Sequence, residues 1–211
     1  YLVLTALLAL NISKEVLNGF VKVENSLQNT QHTLQGQVEE TKGELETKFL
    51  QNQEKVRPFK QQADQVSAQA EDLISYITEL KARCLATSVG DYLEQEPMGF
   101  DRYLGKDADG RDTVLNLMHI EKKDEYQALT AFLIGSEPQA PKEEPWSAVE
   151  LRQKMEAFRD DIKAISFRDT EGNVRQIPDY LKNQLDETFT FGTELEDGME
   201  VLWETANFYD V

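Results

Sequence analysis

An eleven-residue repeat of apolar side chains constrains the fold of this chain more than any other feature. Eleven residues make about three turns of an α-helix, so side chains with this period stay on one face of a single helix. The repeat therefore predicts one rod-like helix of about 45 residues or more, about 70 Å long. Its two interleaved series are Val16, Leu27, Val38, Phe49 and Ile12, Val23, Leu34, Leu45, Val56.

The apolar face of this helix is narrow and has polar residues on both sides. Such a face is typical of a helix that packs against one or two partner helices. We therefore predict that it forms the seam of a rod. The predicted seam residues are Val16, Val23, Leu27, Leu34, Val38, Leu45 and Phe49. Pro58 restricts Arg57 to non-helical dihedral angles, so we expect the rod to end there.

The rest of the chain also has mainly helical periodicity. We predict an all-α fold, an antiparallel bundle of long helices with one irregular insertion near residues 90–120. Apolar spacings of four and three residues predict a second helix, and a turn at Gly172 suggests a small hairpin. The expected later helices cover about 59–88, 122–134, 146–165 and 178–189.

The charge of the chain excludes one class of partner. The formal net charge is −17, and no charged residue precedes Lys14. Nucleic-acid binding requires a clustered basic face, so we expect no nucleic-acid partner. The single cysteine, Cys84, occupies an apolar helical position, where a small buried side chain is expected.

No pattern in the sequence predicts catalysis, a metal site or a cofactor. His32 and His119 lie far apart, and neither has a second soft ligand nearby. Asp107, Asp109 and Asp112 surround Gly110, but the EF-hand calcium loop needs a different register of glycine and glutamate. We therefore predict that the chain is not an enzyme and that it binds no metal and no cofactor.

The first twelve residues are almost all apolar, and three interpretations compete for them. A secretory signal would end in small residues at a cleavage site, which Ala6 and Ala9 do not provide. A buried core helix fits by length, because twelve residues span about 18 Å of a ~30 Å hydrocarbon layer. We favour a transmembrane helix over residues 1–20 whose first turns lie upstream. Residues 21–211 would then form a helical-bundle domain, also cut at its C-terminal end.

Small and hydroxyl side chains give this predicted span two functional faces. Ala9 and Ser13 lie in a row with Thr5, and Ala6 lies beside that row. Small residues let helices approach closely in lipid, and Gly19 offers a further close approach near the membrane surface. The hydroxyls of Tyr1 and Thr5 fall in an apolar span, where polar groups mark a protein partner or a water path.

The stretch YLVLTALLALNISKEVLNGF, residues 1–20, closely resembles the start of the GldM family, called PorM in some relatives. These proteins are motor subunits of the type IX secretion and gliding machinery. The resemblance implies a homodimer whose spans lie inside a ring of GldL-type two-span membrane subunits. It also implies a single-pass inner-membrane protein, in contact with membrane lipid, whose bulk lies in the periplasm.

In this family, proton flow is thought to drive rotation, which the periplasmic rod carries to outer-membrane secretion components. The apolar stretch of residues 1–13 contains no carboxylate, and the first one in the chain is Glu15, beyond that stretch. The proton-carrying acid would therefore belong to the ring, with Tyr1 and Thr5 as its contacts. The alternative is a membrane-anchored periplasmic scaffold or sensor domain without a motor role.

Overall fold

A computed structural model describes the backbone of residues 2–89, 97–106, 110, 112–114, 126–137 and 140–189. Within these ranges it describes the side chains of all residues except 2–18, 24, 97, 98 and 126.

The first element is one long helix. Helix α1 runs from Leu2–Gln51, 50 residues without interruption, or about 75 Å at 1.5 Å per residue. The prediction of a rod-like helix that continues from the apolar start into the polar sequence is confirmed. Thr30 and Thr33 donate their hydroxyls to carbonyls four residues earlier, so these β-branched residues are satisfied inside the helix.

The break after α1 lies at Asn52, so the predicted end at Pro58 was wrong. Helix α2, Gln53–Val89, begins at the next residue and contains Pro58. The Asn52 side chain accepts a hydrogen bond from the N–H of Lys55 at 3.1 Å and so caps the start of α2. Pro58 lacks the N–H that would bond to the carbonyl of Glu54, yet α2 remains helical on both sides of it.

Helices α1 and α2 form an antiparallel pair around this break. Lys60 Nζ lies 3.0 Å from Glu46 and also 5.9 Å from the ring centroid of Phe49. Further along, Lys42 Nζ lies 3.5 Å from Glu71. The two helices therefore run side by side, with the C-terminal part of α1 against the N-terminal half of α2.

The insertion after α2 has more regular structure than the sequence predicts. It contains a 3-10 helix, Pro97–Tyr103, followed by strands β1, Leu104–Lys106, and β2, Asp112–Val114. These strands pair antiparallel, with Gly105 opposite Thr113. Gly110 has φ +77, a left-handed conformation that glycine adopts without strain. The sequence analysis did not predict this hairpin, although Asp109-Gly110 is a dipeptide that is common in hairpin loops.

The remaining elements agree with the predicted ones to within a few residues. They are α3, Tyr126–Leu133; α4, Ala148–Lys163; β3, Ser166–Arg168; β4, Val174–Gln176; and α5, Asp179–Phe189. Strands β3 and β4 pair antiparallel, so the predicted hairpin around Gly172 is confirmed. The described part of the protein is therefore predominantly helical, as predicted, and contains two short hairpins, of which the sequence predicted the second.

Side-chain contacts fix the directions of α4 and α5. Gln69 donates to Asp161 at 3.1 Å and Tyr76 donates to Glu150 at 2.9 Å, so α4 runs antiparallel to α2. Phe158 packs on Phe189, and Lys163 pairs with Asp186 at 2.5 Å. The later residue of α4 thus meets the earlier residue of α5, so the two helices run antiparallel.

The apolar core lies between α2, α3 and α4. Its buried members are Leu80, Leu133, Ile134 and Ala148, with Tyr76, Cys84, Phe132, Trp146 and Leu151 packed against them. Cys84 is a core residue, as predicted, and burial raises the pKa of its thiol to about 12. All of these residues come from α2, from α3, from α4 or from the segment between α3 and α4. They make this part of the molecule one packed unit, called the body below.

No helix in the part of the chain described here is long and apolar enough to cross a lipid bilayer. The transmembrane helix expected over residues 1–20 stays a prediction.

Candidate functional site: the apolar face of the long helix

One face of α1 carries a row of large apolar side chains that are open to solvent. Each of them is between 52% and 65% exposed. At 100° per residue they fall within an arc of about 60°, so they form one continuous row about 27 Å long. The row, called the exposed stripe below, consists of Phe20, Val23, Leu27, Leu34 and Val38.

The residues around the exposed stripe carry almost no charge. Residues 25–38 read NSLQNTQHTLQGQV and contain no Asp, Glu, Lys or Arg. The whole chain, by contrast, is 29% charged and has a net charge of −17. An exposed apolar row with polar, uncharged flanks is typical of a surface that another chain covers.

The same face continues into the part of α1 that packs on α2. Leu45 and Phe49 belong to the same eleven-residue series, but they are only half-exposed, because α2 lies alongside them. This part of α1 is highly charged, and its ion pairs with α2 involve Lys42 and Glu46. The charged residues of 39–48 are Glu39, Glu40, Lys42, Glu44, Glu46 and Lys48.

The structure places the predicted membrane residues on α1 but describes few of their side chains. Tyr1 lies outside the described residues. Gly19 is exposed, and a Cβ added there would meet no atom within 4 Å, so the surface at this position is open. Their roles in partner contact and helix packing stay predictions. The other members of this group, on α1 with undescribed side chains, are Thr5, Ala6, Ala9, Ser13 and, from the seam, Val16.

A second cluster, which the sequence did not predict, lies in the body. Two cations and three aromatic rings form a layered stack that joins α2, α4 and the 3-10 helix. We call it the aromatic–cation stack. Its successive separations are 4.8 Å from Lys154 Nζ to the Tyr76 ring, 4.9 Å from Tyr76 to Trp146, 4.1 Å from Trp146 to Arg83 Cζ, and 4.0 Å from Arg83 Cζ to Phe100.

The carboxylate of Glu150 organises one side of this stack. It accepts hydrogen bonds from the backbone N–H of Trp146 at 2.6 Å and from the Tyr76 hydroxyl at 2.9 Å. Burial opposes its ionisation, but the two donors and Lys154 more than compensate, so the pKa of Glu150 is lowered. Burial and the Glu150 carboxylate together raise the pKa of the Tyr76 hydroxyl.

Part of this arrangement has a local sequence signal. Ser147 caps α4 by accepting the N–H of Glu150 at 3.1 Å, and Ser-x-x-Glu is the pattern of a capping box. The contacts between Arg83, Phe100 and Trp146 have none, because 17 and 46 residues separate the successive members.

Among the residues that the structure describes, no group of three or more His, Cys, Asp or Glu side chains is arranged to hold a metal ion. Asp107, Asp109 and His119 lie outside those residues.

Comparison with known families gives one match. The family model for the GldM N-terminal domain matches residues 15–211. Comparisons with curated proteins and with solved structures returned no match. GldM proteins are inner-membrane-anchored components of the gliding and type IX secretion machinery, and GldM is not a known enzyme family. Because the match covers nearly the whole sequence, the chain belongs to the GldM family.

Proposed function

We propose that this chain is the rotor or lever subunit of an inner-membrane motor driven by the proton-motive force. In this role it transmits mechanical energy across the periplasm to type IX protein secretion and gliding. The observation that carries the proposal is α1, a helix of 50 residues with an exposed apolar face over its middle.

The continuity of α1 supports transmission of force. A helix resists bending and twisting as long as its backbone hydrogen bonds are continuous, and sharp kinks need a proline or a similar interruption. The structure describes α1 as helical from Leu2 to Gln51, and the first proline of the chain is Pro58. Movement at the apolar N-terminal stretch would therefore reach the body through one stiff element.

The exposed stripe supports a second copy of this chain as its partner. Two identical helices packed in parallel place each residue near its own copy, so any charge at the contact meets a like charge. Residues 25–38 contain no charged residue, which removes this repulsion. We therefore propose a homodimer whose rod seam includes Val23, Leu27, Leu34 and Val38.

Inside the membrane the proposal assigns two sets of contacts. Tyr1 and Thr5 face carboxylates of a ring of GldL-type subunits, which would carry the protons. The two spans pack through the small residues, which are Ala6, Ala9, Ser13 and Gly19. Because residues 1–13, where these hydroxyls lie, contain no carboxylate, protonation there would change the contacts of the hydroxyls and not a charge of this chain.

The test compares two insertions of equal length after Gln31, within the exposed stripe. One adds an eleven-residue helical segment that keeps the phase of the stripe, and the other adds eleven Gly and Ser residues. A lever needs a stiff helix, so we expect secretion and gliding to survive the helical insertion. The flexible insertion should abolish both, although the complex still assembles with its ring.

A scaffold or sensor would tolerate both insertions, so normal secretion with the flexible segment would overturn the lever. Proton coupling is tested separately by Tyr1→Phe, which removes the hydroxyl and keeps the aromatic side chain. We expect this variant to assemble normally and to lose secretion driven by the proton gradient. Unchanged secretion would exclude Tyr1 from proton coupling and leave the lever itself intact.

A further inference from the structure

The aromatic–cation stack includes a contact between the insertion and the body, in which Phe100 packs against Arg83. Arg83, on α2, is only 7% exposed. Its Cζ lies at stacking distance from Phe100 of the 3-10 helix and from Trp146 before α4. The Nε of Arg83 donates to Glu79 at 3.0 Å, so the buried charge has a carboxylate partner as well as two ring faces. One guanidinium thus holds two separate segments of the chain.

Trp146 is held in a strained backbone conformation at this point. Its φ is +67, and it is the one non-glycine residue with a positive φ in the described part of the chain. Such a conformation persists only where the surroundings fix it, and it is common at switch regions. Here its N–H donates to Glu150 and its ring stacks on Tyr76 at 4.9 Å.

We propose that this stack is a two-state latch between the body and the described part of the insertion, residues 97–106 and 112–114. In the closed state, seen in this structure, Phe100 and Trp146 both lie against Arg83. In the open state Phe100 leaves the guanidinium, Trp146 relaxes to a negative φ, and the 3-10 helix with β1 and β2 detaches. The two events are coupled because both rings share one cation, and neither depends on the lever function proposed above.

Because Phe100 and Trp146 both contact Arg83, a substitution at Phe100 should change the environment of Trp146, which can be measured. Phe100→Leu removes a ring whose link to Trp146 runs through Arg83. In a Trp203→Phe background of the full chain, Trp146 is the single tryptophan. We expect Phe100→Leu to shift Trp146 emission to longer wavelength and to raise its quenching by acrylamide severalfold. Hydrogen exchange of residues 97–106 and 112–114 should rise at least about tenfold.

A matched control separates the latch from general destabilisation. Phe158→Leu makes the same substitution on α4, where Phe158 packs edge-to-face on Phe189 at 5.9 Å. This control should leave Trp146 emission and the exchange of the insertion unchanged. A second variant, Arg83→Lys, keeps the charge but loses the planar stacking surface, and it should open both ends of the latch together.

Three results would overturn the proposal. In the first, Phe100→Leu loosens residues 97–106 but leaves Trp146 emission as it was, so the contacts are independent. In the second, exchange rises equally in α2, α4 and the insertion, so the stack is ordinary core packing. In the third, Phe158→Leu shifts Trp146 as much as Phe100→Leu does.

Discussion

The apolar repeat of α1, where its side chains are described, has an N-terminal half, residues 20–38, and a C-terminal half, residues 39–51. The two halves differ in almost everything around the repeat. In the N-terminal half, residues 20–38, the stripe is exposed and its flanks from residue 25 onward are uncharged. In the C-terminal half, residues 39–51, Leu45 and Phe49 are half-buried against α2 and six of the flanking residues are charged. The same apolar face of α1 is therefore exposed to solvent in one half and packed against α2 in the other.

In the proposed homodimer, the difference would follow from the kind of partner that each half has. Helix α2 has a different sequence from α1, so Lys42 meets Glu71 and Glu46 meets Lys60. A copy of the same helix in parallel offers no such complementarity, because each charge would meet itself. In the proposed homodimer, charges would therefore stabilise the contact of the C-terminal half with α2 and would oppose association of the N-terminal half. The distribution of charges in the sequence agrees with this expectation.

The largest effect is expected where a charge enters the exposed stripe. The double change Leu27→Lys and Leu34→Lys would bring four like charges together in a seam between two copies. We expect self-association to weaken by about 100-fold or more, measured by sedimentation of the full chain in detergent, because like charges at an interface cost several kcal/mol.

The control for this change uses the opposite face of the same half. Asn29→Lys with Gly36→Lys adds the same charges about half a turn away from the stripe. We expect these variants to associate as the parent chain does. Equal losses in both pairs would mean that net charge, and not the stripe, governs association.

Truncating one residue of the apolar repeat in each half should separate folding from association. Phe49→Ala removes a ring packed on α2, and we expect it to lower the free energy of unfolding by about 2 kcal/mol. Leu34→Ala removes an exposed side chain, so we expect less than about 0.5 kcal/mol. The free energy of unfolding is measured by following the helical circular dichroism signal during denaturation, at concentrations that keep the chain monomeric. A larger loss of unfolding free energy in Leu34→Ala than in Phe49→Ala would contradict the assignment of α2 as the neighbour of Phe49.

A smaller effect is expected at the turn that creates the C-terminal half. Asn52→Ala removes the acceptor for the Lys55 N–H and should destabilise the α1–α2 pair by about 1 kcal/mol. Gln51→Ala, one residue earlier and also exposed, is the control and should have little effect. Hydrogen exchange at residues 53–57 locates the change, and equal exchange in both variants would exclude the cap.

The smallest effect concerns pH and the body that supports the C-terminal half. The pKa of Glu150 is lowered in the folded state, so its stabilising contribution is present above its ordinary pKa of 4.5 and is lost as the pH falls through the folded value. We expect the parent chain to lose more stability than Glu150→Gln below about pH 4.5. Parallel stability curves in acid would show that Glu150 makes no such contribution.

The sequence predicts α1 well because its signal is local and repeated many times. It locates the end of α1 poorly, because Pro58 is a stronger general signal than the capping Asn52, yet a proline is tolerated near a helix start. The eleven-residue period does not reveal which half of the apolar repeat packs against α2. The change from uncharged to charged flanking residues near residue 38 does mark the boundary between the two halves.

The aromatic–cation stack could not be predicted from local pattern. Arg83 lies on a helix, Phe100 in the insertion and Trp146 in a linker, and only the antiparallel packing of α4 on α2 brings them together. The positive φ of Trp146 also has no sequence signal, because glycine or asparagine is the residue expected there.

The most direct test of the central claim is disulfide cross-linking of full-length chains in cells. In a Cys84→Ala background, single cysteines are placed at Leu34 and at Phe49, which belong to the two halves of α1. The account predicts a covalent dimer through position 34 and little or none through position 49, which α2 covers. Efficient cross-linking at 49 with none at 34 would contradict the claim that the exposed stripe binds a second copy.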